Sequence, residues 1–71
     1  MSKKLIDFDL GFLPENKEAV IGLLKERNLV VKHEFDDPHG YYTFIINGTW
    51  DDYSFFLDNP IQKSLTHYED D

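Results

Sequence analysis

Seventy-one residues with no cysteine make one domain near the lower size limit for unaided folding, and they exclude a disulfide framework or a thiolate zinc site. Hydrophobic residues at 41% and aromatics at 15% are too many for a disordered chain, so the net charge of −7 belongs to the surface of a packed core. The apolar run near the N-terminus is broken by Asp7 and Asp9, and no segment reaches the roughly 18 apolar residues of a membrane span, so a cytoplasmic protein without membrane contact is expected.

Residues 4–10 alternate, with Ile6, Phe8 and Leu10 on one side and Leu5, Asp7 and Asp9 on the other, the pattern of a half-buried strand. Gly11 and Pro14 mark a turn. From Glu15 to Arg27 the period becomes helical: Val20, Ile21, Leu23 and Leu24 form a stripe, acids open the segment, bases close it, and Asn28 is placed to cap it. Gly22 falls on the outward side of this helix. Residues 29–35 read as a second strand with Leu29, Val31, His33 and Phe35 on one face. Asp36-Asp37-Pro38-His39-Gly40 is turn chemistry, and residues 41–46 form a third strand with Tyr42, Phe44 and Ile46 sharing a face.

Two readings compete for residues 49–57. Asn47-Gly48 between apolar runs signals a hairpin and a fourth strand, whereas Thr49-x-x-Asp52 resembles a capping box that opens a helix through Trp50, Tyr53, Phe56 and Leu57. The helix is the favoured reading. A short helix is expected over residues 60–68, with Ile61, Leu65 and Tyr68 on one side, and residues 69–71 read as a frayed acidic tail. The expected architecture is α+β: a β-α-β-β antiparallel sheet carrying one packed helix, followed by a helical or fourth-strand C-terminal element.

Catalytic signatures fail one by one. Asp7-Phe8-Asp9-Leu10-Gly11 resembles the DxDxG motif of haloacid-dehalogenase-like phosphotransferases, but that family needs a far larger Rossmann-like scaffold for its remaining residues. His33, Glu34, Asp36, Asp37 and His39 have some metal-ligand character, but the two imidazoles fall on a strand and in a turn and need not converge. Asn47-Gly48-Thr49 matches a glycosylation sequon, but without a secretory signal it reads as a turn and nothing more. No enzyme activity, cofactor or bound metal is expected.

Charge distribution says more than its total. Residues 1–32 hold six bases against five acids, and residues 33–71 hold one base, Lys63, against nine acids. Such a surface selects cationic partners and disfavours nucleic acid itself, which rewards Lys and Arg. Carboxylates at i and i+2 of a strand, such as Asp7 and Asp9, lie about 6.8 Å apart, near twice the ~3.4 Å rise per phosphate of one DNA strand. Asp36-Asp37, Asp51-Asp52 and the terminal Glu69-Asp70-Asp71 would extend that row if the fold gathers them, Trp50 and Tyr53 would anchor it, and Glu34 and Asp58 are expected contacts beside it. In size, acidity and ring content the chain resembles the small early proteins of lytic bacteriophages that mimic DNA. The resemblance implies an inhibitor that occupies the DNA-binding surface of a basic host protein, histone-like HU above all, and a homodimer that doubles the acidic track. The alternative is a protein–protein adaptor or immunity-type subunit that binds through an aromatic patch.

Overall fold

The computed structural model describes residues 5–68, so the acidic tail expected at 69–71 lies outside the described residues. The chain runs β1 (Leu5–Phe12), a 3-10 turn (Pro14–Asn16), α1 (Lys17–Glu26), β2 (Val30–Asp36), β3 (Tyr42–Thr49), α2 (Trp50–Leu57) and β4 (Ser64–Tyr68). The four strands form one antiparallel sheet in the order β2-β3-β1-β4. The fold is α+β, as the sequence pattern implies.

Alternation in β1 sorts the sheet into two faces. Ile6, Phe8, Leu10 and Phe12 are buried, and across the ladder they meet Gly48, Ile46, Phe44 and Tyr42 of β3. On this face pack α1, through Val20 and Leu24, and α2, through Phe56. Fully burying side chains of this size contributes about 1.5–3 kcal/mol each. The rings also contact one another at their edges, Phe12 lying 4.9 Å from Phe44 and Phe8 5.7 Å from Tyr53. Asp7, Asp9, Asn47 and Ile45 lie on the opposite face, which carries no helix.

Helix α1 ends where expected. Asn28 takes the left-handed conformation, φ 58°, and the Leu29 N–H donates to the Leu24 carbonyl at 2.9 Å. Helix α2 opens with the capping box: the Asp52 N–H donates to Thr49 Oγ1 at 3.3 Å, and the Thr49 N–H donates to Asp52 Oδ2 at 2.9 Å.

Three local expectations are corrected. Asn47-Gly48 is not a turn: both residues lie inside β3, where the glycine allows α2 to approach. A Cβ at position 48 would sit 2.9 Å from Leu29 Cδ2 and 3.0 Å from Asp52 Oδ2, and the absent side chain is what lets the helix start so close to the strand. Strand β2 does not keep Leu29, Val31, His33 and Phe35 on one face. Its register shifts between Val31 and His33, so Val31 meets Ile46 while His33 and Phe35 turn to the helix-free face opposite Ile45 and Thr43. Residues 64–68 form a strand instead of part of a helix. Ser, Thr, His and Tyr are poor helix formers, and β1 offers this segment a free edge to complete.

Candidate partner-binding surface

The ten expected contact residues fall in three places. Asp7 and Asp9 stand on the helix-free face of β1. Glu34 and Asp36 lie on β2 with Asp37 in the turn that follows, and Trp50, Asp51, Asp52, Tyr53 and Asp58 belong to α2 and its C-cap. They do not make the single continuous row that the strand spacing suggested. Sheet and helix layers separate them, and bases of the first half stand between them.

Asp7 is held from two sides. The Asn47 side-chain amide donates to Oδ1 at 2.9 Å and Lys32 Nζ to Oδ2 at 2.9 Å, and these bonds keep its pKa below the usual 3.8. Asp9 accepts from the Tyr68 hydroxyl at 2.7 Å, which raises the tyrosine pKa above its usual 10.0. The pair therefore has protein donors on each carboxylate, and the DxDxG likeness is a strand alternation in an antiparallel sheet.

Asp52 points inward. Burial opposes its ionisation, yet the Thr49 N–H, the Thr49 hydroxyl and Arg27 together hold its pKa below 3.8. Arg27 Nε donates to Oδ1 at 2.9 Å while its guanidinium covers the Phe55 ring. Asp52 thus serves the helix cap and the α1–α2 contact. Tyr53 packs against the core between Phe8, Trp50 and His67. Trp50 remains 37% exposed, with its ring 4.8 Å from that of His67.

Glu34, Asp36 and Asp37 lie toward the end of the sheet where β2 turns into β3. Glu34 accepts from the Tyr42 hydroxyl and lies 3.3 Å from Lys17 Nζ, and both lower its pKa. Lys17 also sits over the Tyr42 ring at 4.4 Å, which ties the start of α1 to this end of the sheet. Lys17 thereby joins the start of α1, where Glu15 and Glu18 flank it in sequence, to Glu34 on β2, which Asp36 and Asp37 follow. His39 bonds Asp37 at 2.7 Å. The His39 backbone N–H, then its ring, lower the Asp37 pKa.

Sequence reasoning missed Lys17 and Tyr42 as partners of Glu34, because nothing in residue spacing shows that α1 begins beside β2 and β3. It also missed His67 and Tyr68, whose alternation with Thr66 was the available signal of a strand. Among the described residues no group of three His, Cys, Asp or Glu side chains is placed to hold a metal ion, and no helix is long and apolar enough to cross a membrane. No protein-family model, curated protein or solved structure matches the chain.

Proposed function

We propose that the chain is a non-catalytic acidic binding domain that occupies the nucleic-acid-binding surface of a basic protein, a histone-like nucleoid protein such as HU being the first partner to test. The observation that supports this reading is the acidic end of the molecule. Glu34, Asp36 and Asp37 run along the end of β2 into the turn that follows, Glu34 paired with Lys17 and Asp37 with His39, and Glu15 and Glu18 flank Lys17 in sequence. Lys17, Arg27 and Lys32 each close an ion pair inside the chain, so these three bases are matched by acids of the fold itself. A surface of this sign attracts Lys- and Arg-rich sites over a Debye length of about 10 Å at 0.1 M salt.

Affinity capture from a bacterial lysate tests the reading. A basic DNA-binding protein should be retained at low salt, released as salt rises to moderate levels, and displaced by added duplex DNA. Glu18→Lys with Asp36→Lys, both at exposed positions, should abolish capture while leaving the fold intact by circular dichroism. Retention by that variant would remove the acidic end from the interface.

One observation favours a second reading, an adaptor or immunity-type subunit. Trp50 is exposed at the edge of an aromatic group with Tyr53 and His67, the residue type that most often anchors protein interfaces. Capture that ignores salt and DNA but is lost in Trp50→Ala would select it.

A further inference from the structure

The two edges of the sheet are unlike. The β2 edge carries Lys32, Glu34 and Asp36 and is broken by the register shift at Lys32, both of which are devices that keep an edge from pairing with another chain. Strand β4 has neither. Ser64-Leu65-Thr66-His67-Tyr68 contains no Asp, Glu, Lys, Arg, Pro or Gly, runs in unbroken register along β1, and leaves its other side unpaired among the described residues. Exposed apolar side chains occur at both edges, Val30 at 65% and Phe35 at 38% on β2 and Tyr68 at 53% on β4, but only at β4 is the strand itself free of charge and of a register break. Trp50 reaches this edge directly through its ring contact with His67.

We infer that β4 is the interface of a homodimer, in which two copies pair antiparallel through this strand about a two-fold axis at Thr66 and join their sheets into one of eight strands. The sequence around the strand is self-complementary in that orientation only. In the sequence Lys63 precedes β4 and three acids follow it, so charge complementarity favours an antiparallel copy over a parallel one. On the axis Thr66 faces its own counterpart, Ser64 faces the second copy's Tyr68, and Leu65 faces the second copy's His67 beside Trp50. A two-fold contact of this kind closes on itself and ends growth at two chains. The assignment does not depend on which partner the acidic end binds.

The chain has no cysteine, so a single introduced one reports the contact. Residues directly opposite in an antiparallel pair have Cα atoms about 4.5–5.5 Å apart, inside the roughly 4.4–6.8 Å that a disulfide spans. Thr66→Cys should become a covalent dimer on mild oxidation, and His33→Cys on the opposite edge should stay monomeric in the same gel. In sedimentation velocity the unmodified chain should run at twice the chain mass, and Thr66→Lys, which places two ammonium groups on the axis, should shift it to a folded monomer. A monomeric unmodified chain from micromolar to millimolar concentration would overturn the inference. So would a dimer in which Thr66→Cys fails to cross-link, or one that Thr66→Lys leaves intact.

Discussion

Asp52 shows how a residue chosen for its charge can belong to the scaffold. Its carboxylate accepts from the Thr49 N–H, the Thr49 hydroxyl and Arg27, against the cost of burial. Because its folded pKa is depressed, its contribution is fully present above the usual 3.8 and is lost as pH falls through the lower folded value. Asp52→Asn is therefore expected to cost about 1–2 kcal/mol at neutral pH, the scale of a lost cap and a charged hydrogen bond. The gap to the unmodified chain should shrink in urea unfolding repeated below pH 3.8. A gap that stays constant with pH would mean that the charge is not what stabilises the cap. The Thr49-x-x-Asp52 spacing announced the cap, but nothing in it announced Arg27, which stands 25 residues away in sequence. Long-range partners of that kind are where residue-level reading stops.

At the scale of elements, what was legible followed period. The alternation in β1 and β3 and the 3.6-residue stripe in α1 each face one core, so local pattern and tertiary burial agree. Two failures came from elements whose form is set by a neighbour. Strand β4 takes its shape from the open side of β1, and the bulge in β2 keeps Val31 on the core while sending Lys32 to Asp7. Asn47-Gly48 offers a reversal as the reading that competes with the helix, because a glycine between apolar runs has two meanings, a turn or a close approach. The close approach has a measurable consequence. Gly48→Ala should destabilise the fold by about 1–3 kcal/mol, the range for overpacking a filled site, since the added carbon meets Leu29 and the fixed carboxylate of Asp52. The urea midpoint measures it, and a midpoint that does not move would show that α2 can retreat from β3 without loss.

For the whole molecule the charge acts twice, with opposite signs. A net charge of −7 repels itself within a small volume, so added salt should screen that repulsion and raise the melting temperature. The same salt series should weaken capture of a basic partner, and calorimetry beside the capture experiment reads both trends. A melting temperature that falls with salt would mean that the internal pairs Lys17–Glu34, Arg27–Asp52 and Lys32–Asp7 outweigh the general repulsion. Composition made the sign of this field legible, but not its shape, because which layer a carboxylate occupies depends on sheet order. That order has a further effect, on the timing of folding. The earliest strand lies between β3 and β4, so its second ladder cannot form until Tyr68 has been synthesised. A ribosome making this chain must hold its first hydrophobic segment half-matched until β4 has emerged. Completion of the sheet then waits for its last-made strand, and chains that lack it are the ones that chaperones and proteases would meet with an open flank.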